Sequence, residues 1–323
     1  MLGQAAMEVS LKKHKLEVVV IGELNIDLVL RDIPMPEYEK EKLAGDMRFT
    51  MGSSSAITAH NLAALGTEVG FVGKAGMDAF GHYMISQLTA GGVDTRGIQS
   101  QSDLKTGATI VLANPPKKAL LTYMGAMRHL TSADLNWEYI RQARHLHLGC
   151  FFLQTGIRPD MGRIFAQAHK LGLTTSMDTN WDPDEQWGDD LMQALPHTDI
   201  FFPNEDEAIR IARAADVDEA IAKLRKMVRI LVVKRGSEGA TVCVGDEEWS
   251  APAFHVDAVE TTGAGDSFNA GFLHAHLRGQ SWQEAMQLGN ACGALAVTEI
   301  GGTEAFKQPA EVWSKLRRII DGR

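Results

Sequence analysis

The stretch from residue 260 to residue 271 reads Glu-Thr-Thr-Gly-Ala-Gly-Asp-Ser-Phe-Asn-Ala-Gly. It is a turn of small residues that leads into an amphipathic helix predicted over 266–277. Because the residues at 263–265 carry little or no side chain, their backbone N–H groups can converge on an anion, and the helix dipole favours negative charge there. Asp266 would repel that anion, so we interpret it as a base that takes a proton from a hydroxyl. The alternative is a structural helix cap after a glycine-rich loop.

The familiar phosphate-binding motifs do not fit the chain. A Walker A loop fails at its only Gly-Lys pair, 73–74, because Glu68 stands at the first glycine and Ala75 at the Ser/Thr position. The dinucleotide fingerprint GxGxxG fails because Phe268 stands where the third glycine after 263–265 should be. A P-loop enzyme and a Rossmann oxidoreductase therefore lose their main support.

Outward from this stretch, short β-branched runs alternate with amphipathic segments. The predicted strands are Val18–Ile21, Glu68–Val72, His145–Leu148, Leu173–Met177, Asp199–Phe202 and Ile230–Lys234, with a hairpin near 240–250. The predicted helices are Ser54–Leu65, Asp78–Ala90, Pro159–Leu171, Asn204–Ala214, Asp218–Val228, 266–278, 281–298 and 309–320. The alternation predicts an α/β fold with a mostly parallel central sheet and helices on both faces.

Two stretches break this rhythm and predict a small β flap, or lid. Residues 32–50 contain alternating short runs and two prolines, and residues 107–124 read as a hairpin, GATIVLA and ALLTYM, across a polar NPPKK turn. We expect lid insertions at about 32–50 and 105–125 on a single large domain over 16–323, after a loose N-terminal leader over 1–15.

The composition excludes several classes of protein. The 323 residues are 45% hydrophobic and 23% charged, which suffices for a core without metal or disulfide. A net charge of −9 without a basic run disfavours nucleic-acid partners, and no apolar stretch approaches the length of a membrane span. Three scattered cysteines without CxxC and the lack of a signal-peptide pattern predict a cytoplasmic location.

At 260–266 the sequence resembles the C-terminal signature of the ribokinase-like (PfkB-type) carbohydrate kinase family, Asp-Thr-x-Gly-Ala-Gly-Asp, with Glu260 in place of the first Asp. The resemblance extends over roughly residues 17–305. It implies the family's three-layer sandwich and the phosphorylation of a sugar-like hydroxyl by ATP and Mg²⁺. In that mechanism Asp266 is the general base, and the backbone amides of Gly263, Ala264 and Gly265 form an anion hole.

The resemblance also implies which residues contact the sugar. The candidates are Asn25, Asp27, Gly52, Ser53 and Asn180. Ser53 stands where the family's first signature usually has a second glycine, and Ile57 stands where it has an asparagine. Asp178 and Asn180 follow a predicted strand, so their side chains are expected at the rim of the cleft; this position, rather than the resemblance, makes Asn180 a candidate, and the roles of both residues are open.

The candidates for contacting the nucleotide are Asn204, Glu207, Lys234, Gly236, Gly239, Thr262 and Asn290. The resemblance implies that Glu207 positions Mg²⁺ through water and that Asn290 borders the adenine. Asn204 and Glu207 also fit a plain capping box, and Lys234 either pairs with phosphate oxygens or extends to water. The resemblance also implies a monovalent-cation site near the start of the motif, where Glu260 keeps the negative charge and is the candidate ligand, and potassium activation stays open.

Other functions remain as alternatives. A nucleoside kinase of the same fold would need a slot for the base, to which Phe49, Ile57 or Tyr123 could contribute. A non-catalytic sugar or nucleotide sensor would keep the scaffold without turnover. A sugar-phosphate substrate would need cations in or near the lid, where solvated surface charge is the preferred interpretation; the candidates are Lys40, Lys42, Arg48 and Lys105. The resemblance also allows a homodimer through the lid.

Overall fold

The computed structural model describes residues 15–114 and 117–322, apart from the side chain of Lys117. Over these residues the strands, β1 to β13, are Val18–Ile21, Asn25–Arg31, Asp46–Met51, Val69–Gly76, Asp94–Gln101, Gly107–Asn114, Lys117–Tyr123, His145–Leu148, Thr174–Met177, Ile200–Phe201, Ile230–Lys234, Ala240–Val244 and Glu247–Ala251. The α-helices, α1 to α10, are Ser54–Ala64, Ala79–Ala90, Trp137–Ile140, Met161–Lys170, Asp189–Ala194, Glu205–Ala212, Val217–Leu224, Ala264–His276, Trp282–Ala296 and Pro309–Ile320. The expected leader over 1–15, apart from its last residue, and the prolines at 115–116 lie outside the described residues.

The central sheet has nine strands in the order β13-β12-β11-β10-β9-β8-β1-β4-β5. Seven of them, from β11 to β5 in that order, are parallel, and β12 and β13 form an antiparallel hairpin at one edge. The run Val18–Ile21 is buried on both faces of the sheet, which is why it reads as continuously apolar rather than alternating.

Two hydrophobic cores lie on opposite faces of this sheet. Val18 and Val20 pack into the core that α1, α2, α8, α9 and α10 cover. Val19 and Ile21 point the other way, into the core that α3 to α7 cover. The helix–sheet–helix layering confirms the predicted three-layer α/β sandwich.

A second sheet of four strands, the lid sheet, has the order β3-β2-β6-β7. It starts at Asn25, earlier than the sequence indicated, because Asn25–Arg31 pairs in parallel with β6 along its whole length. The expected alternation of short strands over 32–50 is wrong except for Asp46–Met51. Pro34 and Pro36 lie in the part without strands. Proline has no backbone N–H to donate to a neighbouring strand, so it is tolerated there.

The edge strand β5, Asp94–Gln101, and the short helices α3 and α5 were not predicted from the sequence. The β5 segment DTRGIQSQ is polar and only partly buried, so it shows no apolar run or clean alternation. Predicted helix ends differ by up to four residues, mainly where caps and 3₁₀ turns flank the helices. No helix in the described part of the chain has the length and apolar character needed to cross a membrane.

The carboxyl ends of the parallel strands lie beside the lid sheet. β2 begins only four residues after β1 ends at Ile21, and Lys118 of β7 reaches the loop that precedes α8. Open α/β sheets bind ligands at this edge, so the fold brings the candidate residues of both sheets to one cleft.

Candidate active site

The loop before α8 holds its first turn open toward the cleft. Gly263, the N-cap of α8, has φ +78°, and a Cβ there would lie 2.5 Å from Cα of Gly302, so the position requires glycine. Ser267 fastens the loop by donating its hydroxyl to the Gly263 carbonyl at 2.7 Å. Among the described residues, nothing accepts a hydrogen bond from the amides of Gly263, Gly265 and Asp266. These N–H groups can therefore bind an anion. The amide of Ala264 was expected to join them, but it donates to the Thr261 carbonyl at 3.5 Å, and the amide of Asp266 takes its place among the free groups.

Asp266 lies in the first turn of α8 and is buried. Burial, together with the nearby carboxylate of Asp178, raises the pKa of Asp266 to about 7, although Lys234 opposes the shift. Thr58 on α1 holds the Asp266 backbone by donating its hydroxyl to the carbonyl at 3.3 Å. A carboxyl with such a pKa can accept a proton near neutral pH.

Lys234 ends β11 and forms a buried ion pair with Asp178, which follows β9. The Lys234 Nζ lies 2.5 Å from Asp178 Oδ2, and their side chains are 12% and 1% exposed. Burial favours the neutral forms of both side chains. The Coulombic attraction and the hydrogen bond between them outweigh this effect, so the pKa of Asp178 is lowered and the pKa of Lys234 is raised. A Cβ on Gly265 would lie 3.4 Å from Nζ, so the ammonium sits beside the open loop rather than in bulk water.

Asn204 and Glu207 form the capping box of α6. The Asn204 side chain accepts from the Glu207 amide at 2.8 Å, and Glu207 accepts from the Asn204 amide at 2.8 Å. A parallel β-bridge between the backbones of Asn204 and Lys234 places this cap beside the ion pair. Burial and the charge of Asp178 raise the pKa of Glu207 to about 7. The cap and a site role are therefore compatible.

A groove of about 460 Å³ adjoins the loop. Its lining includes Lys234, Gly236, Gly239, Phe254, Val256, Thr261, Phe268, Asn290, Ala294 and Val297. Gly239 has φ +98°, and a Cβ there would collide with the Ala251 carbonyl at 2.0 Å. The side-chain amide of Asn290 donates to the carbonyls of Ala251 and Pro252 at 3.1 and 3.0 Å, which holds the groove wall. The groove's apolar wall and polar end suit a nucleotide.

On the lid side, Asn25, Asp27 and Gly52 meet. Asn25 donates to Asp27 Oδ1 at 3.1 Å and to the Thr109 hydroxyl at 3.2 Å. A Cβ on Gly52 would lie 2.1 Å from Asp27 Oδ1, so only glycine leaves room for the carboxylate. Burial, Glu260 and Asp266 raise the pKa of Asp27 to about 7. The structure thus brings these three predicted residues into electrostatic range of Asp266.

Ser53 and Asn180 line the same edge but are already engaged. The Ser53 hydroxyl accepts from the Ala56 amide at 3.0 Å, as the N-cap of α1, and donates to the Glu23 carbonyl at 2.6 Å. Asn180, in a left-handed conformation, donates to the Ser54 hydroxyl. Their side chains brace the start of α1 next to Gly52.

Thr262 belongs to a tight turn with Glu260. Its amide and hydroxyl both donate to Glu260 Oε1, at 2.7 and 2.5 Å. Glu260 is buried, and its Oε2 has no hydrogen-bond partner in the part of the chain that the structure describes. An unpaired buried carboxylate oxygen is costly, so this position suits a cation.

Two charged residues of the cleft, Glu23 and Lys118, were not among the candidates predicted from the sequence. Glu23 is buried near Asn25 and Asp27. Its carboxylate accepts hydrogen bonds from the amide and the hydroxyl of Ser55 at 3.1 and 2.5 Å. Its position between a buried strand and Asn25 was the available signal. Lys118 lies on β7, with Nζ 3.4 Å from the hydroxyls of Thr261 and Thr262. Nothing in the NPPKK turn distinguished it from a surface lysine.

The residues suggested for a nucleoside slot do not come together. Ile57 is buried and would meet any Cβ on Gly302, while Phe49 and Tyr123 lie on the face of the lid sheet opposite to Asp27. The lid cations considered for a sugar phosphate are surface charges: Lys40 and Lys42 pair with Glu37, Arg48 pairs with Asp46, and Lys105 is exposed.

The three-layer fold, the lid and the open loop at α8 define a small-molecule kinase of the ribokinase type. The family model described as pfkB family carbohydrate kinase matches residues 15–309, and the chain belongs to that family. An ATP-dependent ribose-1-phosphate kinase of Halopiger xanaduensis is 32% identical over 297 residues, covering 89% of this chain and 94% of the relative. A probable fructokinase-3 of Arabidopsis thaliana is 29% identical, covering 93% and 91%.

Solved structures agree. The apo crystal structure of a ribokinase II from E. coli superimposes with a TM-score of 0.84 at 26% identity, covering 94% of this chain and 99% of that one. The same protein has been solved with ATP and Mg²⁺. These findings confirm the predicted family and fold, and the chain is a sugar kinase, a phosphotransferase with an alcohol group as acceptor. They leave the oxidoreductase and sensor alternatives without support.

Proposed function

We propose that this kinase transfers the terminal phosphoryl group of ATP to a hydroxyl of a sugar or sugar-like small molecule, with Asp266 as the general base. The observation that carries the proposal is the position of Asp266, between the free loop amides and the residues Asn25, Asp27 and Gly52. Its carboxyl group is buried, and burial raises its pKa to about 7. A base is useful there only if a hydroxyl is the attacking group.

The acceptor lies under the lid sheet. Asp27 offers carboxylate oxygens to adjacent hydroxyls, and Asn25 and Gly52 hold that carboxylate in place. Asp266 removes the proton of the reacting hydroxyl. The amides of Gly263, Gly265 and Asp266 donate to the phosphoryl oxygens as negative charge develops on them.

The nucleotide side fits ATP and Mg²⁺. The groove between Gly239 and Asn290 takes the adenine end, and Lys234 lies where phosphate oxygens meet the loop. Glu207, which is buried near Lys234, would hold Mg²⁺ through water, and the ion would supply neutralisation of the phosphate charge. The related E. coli ribokinase II binds ATP and Mg²⁺, which supports the same pair here.

Glu260 is the proposed ligand of a monovalent cation. Its Oε1 is engaged by Thr262, whereas Oε2 is buried and unpaired among the described residues. A potassium ion next to Oε2 would compensate the buried charge and would fasten the turn that leads into the loop at 263–265.

A homodimer through the lid sheet is also proposed. Five exposed apolar side chains share the outer face of that sheet, the face away from Asp27. They are Met47, Phe49, Ile110, Leu121 and Tyr123, which are 38–61% exposed. A second copy of the same face would cover them symmetrically.

The decisive experiment is an ADP-release assay over sugars, sugar acids, sugar phosphates and nucleosides, run on the wild type and on Asp266→Asn. We expect turnover with a sugar or sugar phosphate, and a loss of about 10²–10⁴-fold in kcat in the variant. The exposed Asp218→Asn serves as the matched control and keeps full activity. Near-wild-type turnover in Asp266→Asn would remove the assigned base, and turnover with nucleosides alone would replace the substrate class.

A further inference from the structure

Asn61 is an unusual residue for its place in the fold. It lies on α1, on the side that meets α8, and it is completely buried. Its neighbours on α1, Ala59 and Leu62, belong to the hydrophobic core, and an apolar side chain at position 61 would be expected to pack in the same way. A buried amide is costly unless its polar atoms are paired, so the contacts of Asn61 indicate its role.

The polar atoms of the Asn61 side chain are all paired. Burial lowers the pKa of His60, so the imidazole ring is neutral at pH 7. The His60 Nδ1 lies 3.0 Å from Asn61 Oδ1, and because that oxygen can only accept, Nδ1 carries the proton. On the other side of the amide group, Nδ2 donates to the Ser267 hydroxyl at 2.9 Å and to the Gly302 carbonyl at 3.0 Å. The amide is therefore fixed in one orientation.

The bond to Ser267 sets the direction of the Ser267 hydroxyl proton. Because Nδ2 of Asn61 can only donate, the single proton of that hydroxyl is directed to the Gly263 carbonyl, 2.7 Å away. The Ser267 backbone amide donates to the same carbonyl at 2.8 Å. Gly263 is the residue whose left-handed backbone opens the loop before α8. The chain from His60 through Asn61 and Ser267 thus ends on the peptide group that shapes this loop.

The bond to Gly302 holds the wall of the same loop. A Cβ on Gly263 would lie 2.5 Å from Cα of Gly302, so the two backbones are in close contact. Asn61 therefore ties the loop and its wall together through one amide group. Thr58, one turn earlier on α1, donates to the Asp266 carbonyl at 3.3 Å. Two polar side chains of α1 thus act on the first turn of α8, where the free loop amides lie.

We propose that Asn61 is a positioning residue for phosphoryl transfer: through Ser267 and Gly302 it holds the free loop amides in the arrangement that receives the transferred group. Because Asn61 is completely buried, it touches neither the nucleotide nor the acceptor. The amides stabilise charge on the phosphoryl oxygens only if they are already aimed at them, and a displacement of about 1 Å can cost about 100-fold in rate. This inference rests on the proposed function, which uses these amides.

The test compares Asn61→Leu, Ser267→Ala, the double variant and the matched control Thr67→Val. Leucine is close to asparagine in shape and lacks its donors. Thr67 is buried just after α1, and its hydroxyl lies 2.9 Å from His274 Nδ1 near the end of α8. The control therefore removes a buried polar contact between the same two segments, far from the loop. The measurements are kcat and the KM of the accepted sugar at saturating Mg²⁺-ATP, together with the unfolding temperature of each variant.

We expect Asn61→Leu and Ser267→Ala each to lower kcat by about 10–100-fold and to change the KM of the acceptor by less than about 2-fold. The acceptor KM is spared because Asn25 and Asp27 are not disturbed. The double variant should lose little more than the more impaired single variant, since both residues act through one chain of hydrogen bonds. Thr67→Val should lower the unfolding temperature but keep the wild-type kcat.

Three results would overturn the inference while the wild type still phosphorylates a sugar. They are a wild-type kcat in folded Asn61→Leu, an equal loss of kcat in Thr67→Val, and losses that multiply in the double variant. If Asn61→Leu does not fold, a wild-type kcat in Ser267→Ala overturns it instead, because that variant removes the hydroxyl between Asn61 and Gly263. A wild type that turns over no sugar or sugar-like compound would reject the proposed function.

Discussion

The ion pair of Lys234 and Asp178 sets the charge of the cleft at the level of single residues. Asp178 accepts hydrogen bonds from the Lys234 ammonium and from the side-chain amide of Asn269, so its negative charge is retained. Because Asp178 is almost completely buried, this charge acts strongly on its neighbours. It raises the pKa of Asp266 and of Glu207, whereas Lys234 acts in the opposite direction. Removing one partner would leave an uncompensated buried charge.

This arrangement predicts an ascending pH–rate profile. Asp266 acts as a base only when it is deprotonated, and its pKa is raised to about 7, so kcat/KM for the acceptor should fall as the pH drops below about 7. The measurement is kcat/KM for the acceptor at saturating Mg²⁺-ATP, from about pH 5.5 to about pH 8.5. Asp178→Asn should move the ascending limb to lower pH, since a neighbouring negative charge is lost and Lys234 is freed.

The exposed Asp218→Asn variant is the control and should keep the wild-type limb. A profile that is flat across this range, or one that Asp178→Asn moves upward, would contradict the assignment. Asp27 and Glu207 have pKa values raised to about 7 as well, so the limb describes the coupled cluster rather than one carboxyl.

At the level of elements, three strained connections lie at the edge of the sheet that faces the cleft. Ser53 precedes α1, Cys150 follows β8 and Asn180 follows β9, and all three adopt a left-handed backbone that disfavours side chains, with φ of 71°, 53° and 52°. Such strain persists only where the surroundings enforce it, and it concentrates at functional sites. Here it aims the starts of the following segments at the cleft.

The turn over 260–262 predicts dependence on a monovalent cation. With Glu260 Oε2 compensated by potassium, the loop at 263–265 keeps its geometry, so kcat should be several-fold higher in potassium than in tetramethylammonium at equal ionic strength. Glu260→Gln keeps the shape of the side chain but not its charge, and it should lose this difference. Equal rates of the wild type in both salts would remove the cation site.

For the whole molecule, the two faces of the lid sheet differ in character. The inner face carries Asp27, Thr50, Thr109 and Thr122 in register with one another, together with the apolar Val29, Val111 and Leu120, and the outer face carries the five exposed apolar side chains. Exposed apolar area of this kind usually marks an interaction surface.

We therefore predict a dimer in solution that depends on the outer face. Light scattering coupled to size exclusion should give the mass of two chains for the wild type and of one chain for Leu121→Glu, because a buried unpaired carboxylate is costly. The matched control is Leu171→Glu, which changes an exposed apolar residue at the end of α4. This variant should stay dimeric. A monomeric wild type would contradict this prediction.

The sequence indicated the layers well, because runs such as Val18–Ile21 and Ile230–Lys234 are apolar on both faces and stand between clear helical patterns. It also indicated Asp266 from the chemistry of the loop, and Asn25 and Asp27 from the family resemblance; the structure brings all three to one cleft, and their roles are proposals. It could not reveal that Lys234 pairs with Asp178, 56 positions away, since no local pattern encodes a contact between strands. For the same reason the predicted lid began at residue 32 and left out β2, because the parallel pairing of β2 with β6 is not local in the sequence.

Asn25 and Asp27 belong to the lid sheet, whereas Asp266 belongs to α8, and Gly52 and Ser53 alone connect β3 to α1. In the proposed mechanism an acceptor thus joins two parts of the molecule rather than occupying a preformed hole in one. A compound that lacks the hydroxyls facing Asp27 would lose more than affinity, because it would no longer hold the two parts together. Selectivity among sugars should consequently appear in turnover as strongly as in binding.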